Sequence, residues 1–216
     1  MASSTIMSQR ILQASDWQVF GMDMHSDKVA RLLDHSRCHF FEGDITINRE
    51  WIEYHVNKCV VILPLVAIAT PATYVREPLH VFELDFEANS PIVRAAVKYR
   101  KRLVFLSTSE VYGMCSDTKF DPYALPLAYG PIDKPRWIYA CSKQLMDRVI
   151  AAHGHRRVWT TRCSAPSTGS APASIRSTAK EGSSRVITEF LGHIVRGEDI
   201  HLVDRGQQRR SFTSIY

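Results

Sequence analysis

The sequence predicts an α/β protein built on a doubly wound, Rossmann-like parallel sheet in which part of the usual strand set is missing or replaced. Two observations support this fold class. Short runs of β-branched, aliphatic and aromatic residues alternate with segments of helical length, which is typical of βαβ units. The run 60–67 is almost continuously apolar, as expected for a strand buried on both faces of a parallel sheet.

Each element is predicted from its local pattern, in chain order. The predicted strands are Val19–Met24, His39–Asp44, Val60–Ala67, Arg102–Ser107 and Ile200–Val203. The predicted helices are Gln9–Ser15, Ser26–His35, Asn48–Asn57, Leu79–Tyr99, Tyr139–Ala152 and Ser183–Arg196. Asn48 is the expected N-cap of its helix, and Pro91 is expected to kink the helix in which it lies.

Two regions depart from the pattern of a dinucleotide-binding domain. Such a domain begins with a strand and a glycine-rich turn that holds the pyrophosphate, but the first glycine here is Gly21, inside the strand predicted at 19–24. We therefore expect the first strand and its glycine loop to be missing. Residues 153–178 are rich in Ser, Ala, Thr, Pro, Gly and Arg without periodicity, so an irregular segment is predicted in place of the sixth strand.

Length and composition restrict the classes of function. The chain has 216 residues, of which 45% are hydrophobic and 23% charged, values that suit one globular domain. The longest apolar run is interrupted by Pro64 and is too short to span a bilayer. No secretory signal is recognisable, so a cytoplasmic protein without membrane contact is expected. Five scattered cysteines without a CxxC pair predict neither a disulfide framework nor a metal site.

The net charge of +5 raises the possibility of nucleic-acid binding. Residues 149–180 contain five basic residues and no acidic residue, so this one segment accounts for the whole excess. Aromatic and basic residues are not interleaved anywhere in the chain. Nucleic acid is therefore not predicted as a partner.

The residues best suited to chemistry follow the strand predicted at 102–107. Thr108, Ser109 and Glu110 come at its end. Tyr139 and Lys143 are four residues apart, on one face of a predicted helix. A neighbouring ammonium lowers the pKa of a phenol, so Tyr139 could take a proton from a sugar hydroxyl while a hydride leaves the same carbon. The YxxxK spacing also occurs as an ordinary helix pair, but the upstream STSE run favours the catalytic interpretation.

Three motifs resemble a known family: STSEVYG at 107–113, KPRWIYACSKQ at 134–144 and WIEYHVNKC at 51–59. They are similar to the extended short-chain dehydrogenases that oxidise and decarboxylate UDP-glucuronic acid. Those enzymes include the decarboxylase domain of the bifunctional polymyxin-resistance protein and bacterial UDP-4-keto-pentose and UDP-xylose synthases. The resemblance covers roughly residues 9–152 and 181–213. It implies NAD as the cofactor, a UDP-sugar as the substrate, a place in lipid A modification and a homodimer formed through a helix bundle.

The resemblance also implies roles for individual residues. Asp23 would bind the adenosine ribose, which favours NAD over NADP, and Asp44 would lie against the adenine. Tyr139 would accept the proton, with Lys143 as its electrostatic partner, and both would contact the cofactor. The other implied site residues are Ala67, Ala69, Tyr74, Thr108, Ser109, Glu110 as the acidic catalytic group, and Arg136, Arg185 and Arg210 near the glucuronate or the phosphates. Arg185 and Arg210 could equally be surface charges.

The implied reaction is oxidation of the sugar at C4 by NAD⁺, followed by loss of CO2 from the resulting β-keto acid. The product would be UDP-4-keto-pentose or, after reduction, UDP-xylose. Two alternatives remain open. The chain could be another sugar-nucleotide epimerase or dehydratase of the same class, or a non-catalytic fragment that associates with full-length relatives.

Compared with that family, we expect the chain to be truncated at both ends and altered at 153–178, and its activity to be impaired. The family's C-terminal part would follow Tyr216. If the codons of residues 158–178 are read one base out of register, they permit the family's strand and loop at every position. Two compensating frameshifts, near 151–157 and 178–180, are therefore our hypothesis, and the nucleotide sequence tests it.

Overall fold

The computed structural model describes residues 2–116, 121, 126–156, 161–164, 168–170, 186–202, 206 and 212–214. The chain divides into two compact units, one of residues 4–166 and the other of residues 1–3 with 167–216. The paired strands of the described residues are all parallel and alternate with helices. The predicted α/β class with a Rossmann-like parallel arrangement is therefore confirmed.

The larger unit contains two separate parallel sheets. The first pairs β1 (Val19–Asp23) with β2 (Cys38–Glu42). The second has the strand order β3 (Val61–Ile62), β4 (Arg102–Leu106) and β5 (Thr161–Ser164). The strand predicted at 60–67 is thus confined to two residues. Pro64 has no N–H to donate to a ladder, which explains why the strand ends before it.

Seven α-helices are present in the described part of the chain. They are α1 (Ala2–Ala14), α2 (Arg49–Lys58), α3 (Pro71–Arg76), α4 (Pro78–Phe82), α5 (Ser90–Lys98), α6 (Ile138–Arg156) and α7 (Val186–Arg196). The first helix begins earlier than the predicted Gln9. The last carbonyls of a helix lack partners within the helix. At the carboxyl end of α1, the Arg37 guanidinium donates hydrogen bonds to the carbonyls of Leu12 and Ser15. None of the helices in the described part of the chain contains an apolar stretch that could span a bilayer.

The prediction of a helix at Ser26–His35 was wrong. Only Ala30–Leu32 is helical there, as one turn of 3-10 helix. The backbone closes tight turns instead: Val29 N–H donates to the Ser26 carbonyl and Leu32 N–H to the Val29 carbonyl, each three residues back. Ser26 N–H donates to the Glu42 carboxylate at 2.8 Å. This segment is therefore anchored to the end of β2 rather than continued as an α-helix.

The helix predicted over 79–99 is present in three pieces. A π-helix, Glu83–Glu87, follows α4, and Ala88 N–H donates to the Glu83 carbonyl five residues back. The chain then turns at residues 88 and 89 before α5. Pro91 lies in the first turn of α5, where its missing N–H needs no helical partner. Instead of the predicted kink at Pro91, the helix is therefore interrupted at residues 88 and 89, just before Pro91.

Two other predictions need correction. The segment 153–178 contains the end of α6, all of β5 and the strand β6 (Thr168–Ser170), so its described residues are not irregular. β5 occupies the position beside β4, and β6 pairs with β7 (Phe212–Ser214). Ile200–Leu202 form no strand, and the partner of β6 comes later in the chain. Residues 157–160, 165–167, 171–178 and Val203 lie outside the described residues.

The main core lies between the second sheet and the helices α2, α5 and α6. The buried apolar residues of this core come from all of these elements: Val56, Ile62, Ile92, Val93, Ala96, Leu103, Phe105, Met146 and Ile150. Leu103 and Phe105 point from β4 into this core, while Met146 and Ile150 come from α6. The core therefore joins α6 to the strand after which the candidate catalytic residues follow.

We expect Leu103→Ala to lower the free energy of unfolding by about 2–5 kcal/mol, because it opens a cavity in this core. The matched control is Leu79→Ala, since Leu79 is 72% exposed and its truncation should change stability by no more than about 0.5 kcal/mol. Urea unfolding followed by circular dichroism measures both. Equal effects for the two variants would contradict the placement of the core.

Candidate active site

The candidate site begins where β4 ends. Thr108 is the N-cap of a short 3-10 helix, Ser109–Tyr112, and its hydroxyl accepts a hydrogen bond from Glu110 N–H at 3.3 Å. Thr108 is half-buried and Ser109 is exposed. The loop therefore presents two hydroxyl groups and one carboxylate at the carboxyl end of a parallel strand, where α/β proteins bind their ligands.

Two hydrogen bonds attach α6 to this end of β4. The Ser107 hydroxyl donates to the Asp147 carboxylate, and Lys143 Nζ donates to the Leu106 carbonyl at 3.4 Å. Asp147 and Lys143 lie one turn apart on α6. The structure thus brings the helix that carries Tyr139 and Lys143 together with the loop that carries Thr108, as the sequence predicted.

Tyr139 lies in the first turn of α6 and stacks on Tyr74 of α3. The two ring centroids are 4.7 Å apart and the rings are inclined by only 8°. Both tyrosines are buried, with exposed fractions of 7% and 1%. Burial raises the pKa of Tyr74 far above its ordinary value, and the neighbouring Tyr139 and Glu110 raise it further. Tyr74 is therefore a neutral phenol that packs beside Tyr139.

Lys143 is almost completely buried, with an exposed fraction of 4%. Its Nζ lies 3.9 Å from Asp85 Oδ1 and 4.7 Å from the centre of the Phe105 ring. Burial lowers the pKa of Lys143, and the carboxylates of Asp85 and Asp147 oppose that shift. A buried ammonium therefore has a buried carboxylate from a different helix beside it.

Asp85 is a site residue that the sequence analysis missed. It lies in the π-helix with an exposed fraction of 0%. Its Oδ2 accepts a hydrogen bond from Ile68 N–H at 3.3 Å. Burial raises its pKa to about 6, against the opposing effect of Lys143. The available signal was two polar residues, Asp85 and Asn89, on the inner side of an otherwise apolar helix.

Arg136 and Glu110 form the exposed side of the site. Arg136 Nη1 lies 3.0 Å from Glu110 Oε2, and the guanidinium covers the Trp137 ring at 4.9 Å. The side chains are 50% and 30% exposed, respectively. This pair can turn towards a ligand, because solvent already reaches both groups. An arginine so placed suits a carboxylate or phosphate.

The other predicted site residues are distributed over the unit. Asp23, at the end of β1, accepts a hydrogen bond from Met24 N–H at 2.8 Å, and Asp44 accepts from Thr46 at 2.7 and 2.8 Å. The bonds from Thr46 lower the pKa of Asp44. Ala67 and Ala69 flank Ile68, whose amide binds Asp85. Arg185 and Arg210 lie outside the described residues.

Comparisons with known proteins agree with this arrangement. The model of the family "NAD dependent epimerase/dehydratase" matches residues 7–216. The crystal structure of the PbgP3 protein from Burkholderia pseudomallei superposes with a TM-score of 0.87 and is 66% identical over 98% of this chain. This chain spans only 63% of the length of that protein.

Two more distant structures share the fold alone. UDP-glucose 4-epimerase from Thermotoga maritima, solved with UDP-glucose, has a TM-score of 0.76 and 20% identity, over 99% of this chain and 66% of its own. UDP-glucuronic acid 4-epimerase from Bacillus cereus, solved with UDP-glucuronic acid and NAD, has a TM-score of 0.78 and 16% identity, over 98% of this chain and 65% of its own. Among the described residues, no group of three or more His, Cys, Asp or Glu is placed to hold a metal ion.

Gly113→Ala should disrupt the loop of the candidate site. Gly113 has a φ of 60°, and an added Cβ would come within 2.0 Å of the Ala128 carbonyl oxygen. The control is Gly197→Ala, because Gly197 also has a positive φ, 67°, but has open space around it. We expect the control to cost about 1–2 kcal/mol and Gly113→Ala to cost clearly more in thermal unfolding. Similar losses would contradict the close approach to Ala128.

Proposed function

The chain belongs to the NAD dependent epimerase/dehydratase family, and on that premise we propose that it oxidises and decarboxylates UDP-glucuronic acid with NAD⁺. The observation that carries the proposal is the attachment of α6 to the loop after β4, with Tyr139 and Lys143 on the helix and Thr108 on the loop. The motifs at 107–113 and 134–144, which resemble UDP-glucuronic acid decarboxylases, support this substrate, as does the exposed arginine at 136.

The residues present fit the two ends of NAD. Asp23 is exposed at the carboxyl end of β1, where a carboxylate can bind the hydroxyl groups of the adenosine ribose. Tyr139 and Lys143 would hold the nicotinamide end, and NAD when bound supplies the acceptor for the hydride from C4. A glycine-rich turn for the pyrophosphate is not among the described residues, since no glycine precedes Gly21.

The protein's own groups would move the proton. The Tyr139 phenolate would take the proton of the C4 hydroxyl, stabilised by the ammonium of Lys143. A hydroxyl from Thr108 or Ser109 would orient the same sugar oxygen. The C4 ketone then makes the sugar a β-keto acid. When the C5–C6 bond breaks, its electron pair moves towards the ketone, CO2 leaves, and C5 takes up a proton.

Glu110 and Arg136 are proposed to act on the charged end of the substrate. Their ion pair lies at the exposed side of the site, and a guanidinium can bind a carboxylate or phosphate through two parallel hydrogen bonds. Glu110 would be displaced from Arg136 when the sugar nucleotide binds. It would then be free to serve as the acidic catalytic group.

A second candidate function is a non-catalytic role in association with a longer relative. The chain spans 63% of the length of the PbgP3 protein, and apolar side chains are exposed on neighbouring helices, at Val75, Leu79 and Leu145. Apolar residues at such positions suit a helix-to-helix interface. A further alternative is another epimerase or dehydratase reaction on a sugar nucleotide.

We expect Tyr139→Phe to reduce CO2 release from UDP-glucuronic acid about 10²–10⁴-fold, because the proton acceptor is lost. The matched control is Tyr54→Phe, since Tyr54 is 62% exposed on α2. Release of labelled CO2 from the C6 carboxyl group and formation of NADH measure the two variants. Epimerised substrate without CO2 would favour the epimerase alternative, and turnover seen only with an added relative would favour the non-catalytic role.

The 216-residue chain should bind NAD⁺ weakly, with an affinity only moderately above that for adenosine. The physical reason is that a pyrophosphate depends on backbone N–H groups of a glycine-rich turn and a helix N-terminus, and the first glycine is Gly21. Calorimetric titration with NAD⁺ and with adenosine measures the difference. Micromolar binding of NAD⁺ with much weaker binding of adenosine would contradict this expectation.

A further inference from the structure

The π-helix between α4 and α5 directs one carboxylate into the protein. In Glu83–Glu87 the backbone bond from Ala88 N–H reaches the Glu83 carbonyl, five residues back rather than four. Within this widened turn Asp85 is fully buried, while its neighbours Glu83 and Glu87 on the same turn are exposed. Single π turns occur frequently at functional sites. The unusual turn therefore separates one acidic side chain from two that remain in solvent.

Asn89 holds this turn in place. Its side-chain amide donates to the carbonyls of Leu84 at 2.9 Å, Asp85 at 3.3 Å and Val66 at 3.0 Å. The first two carbonyls belong to the π turn, and the third belongs to the segment that follows β3. Asn89 is itself fully buried. The amide thus connects the π turn to the segment whose Ile68 N–H binds the Asp85 carboxylate.

A buried carboxylate is costly unless a cation lies beside it. Asp85 Oδ1 has no hydrogen-bond partner among the described residues, and the ammonium of Lys143 lies 3.9 Å from it. Lys143 donates to the Leu106 carbonyl and lies over the Phe105 ring. A carbonyl oxygen and a ring face both favour the charged amine over the neutral amine.

We infer that Asp85 is a positioning residue for the proposed reaction: its carboxylate is the counter-ion that keeps Lys143 charged inside the protein. This inference rests on the proposed function, in which the ammonium stabilises the Tyr139 phenolate. A neutral amine could not do so, and burial by itself favours the neutral amine. Asp85 therefore acts on the substrate only through Lys143.

Other titratable groups near Asp85 and Lys143 also affect the charge states of these two residues. Asp147, one turn along α6, also favours the charged form of Lys143, but its carboxylate accepts the Ser107 hydroxyl. His80 acts on Asp85 from α4 and favours its ionised form. Asp85 helps to raise the pKa of the buried Tyr74, and the buried Tyr139 stacks on Tyr74. Among these groups Asp85 is the carboxylate nearest to Lys143 that another helix provides.

The test uses Asp85→Asn, which keeps the shape and can still accept the Ile68 N–H but removes the charge. In the full chain, the titration of Lys143 is followed by NMR of ¹³C-labelled lysine and assigned with Lys143→Arg. We expect the titration midpoint of Lys143 to move to lower pH in Asp85→Asn. The matched control is Glu87→Gln on the same turn, where the carboxylate is exposed and the midpoint should stay in place.

The reciprocal experiment keeps the inference testable even if Asp85→Asn does not fold. Coupling between two sites is mutual, so Lys143→Met should move the titration midpoint of the Asp85 carboxyl to higher pH. Unchanged midpoints in the variants that fold would overturn the inference. Neither measurement needs a substrate. A coupled pair without CO2 release would therefore refute the proposed function alone, whereas CO2 release with uncoupled groups would refute the role of Asp85.

Discussion

The attachment of α6 to the carboxyl end of β4 is the constraint on which the candidate site depends. Two consecutive residues, Leu106 at the end of β4 and Ser107 just after it, bond to Lys143 and Asp147, which lie one turn apart on the helix. Because the two bonds are separated by one helical turn, they set both the rotation and the axial position of α6. Tyr139, one turn before Lys143, is thereby placed in the same cluster as Tyr74 and Glu110.

This attachment buries a cation, and the surrounding structure compensates for it. The two ion pairs of the site differ in kind. Arg136 and Glu110 are partly exposed, and such a pair contributes little to stability because water screens it. Lys143 and Asp85 are both buried, so removal of either charge leaves the other less well compensated inside the protein. The exposed pair can therefore rearrange for a ligand, whereas the buried pair fixes the electrostatic state of the helix.

The site residues lie on two sheets of the larger unit. Asp23 ends β1 and Asp44 follows β2 in the first sheet, while Thr108 follows β4 of the second. In a doubly wound domain these positions are the adenosine side and the reacting side of one dinucleotide site. A cofactor bound as proposed would extend from the end of one sheet to the end of the other. The affinity for it would depend on what contacts its pyrophosphate.

The sequence by itself determined the elements whose pattern is local. The strand at 102–107 and the helix from 139 could be predicted, because an apolar run and a four-residue spacing are visible without partners. Tertiary structure decided the features that depend on partners. Pro64 shortened β3, tight turns replaced the helix at 26–35, and residues 161–164 and 168–170 paired as strands. Asp85 could not be predicted, because its role depends on burial beside a lysine that lies 58 residues later in the chain.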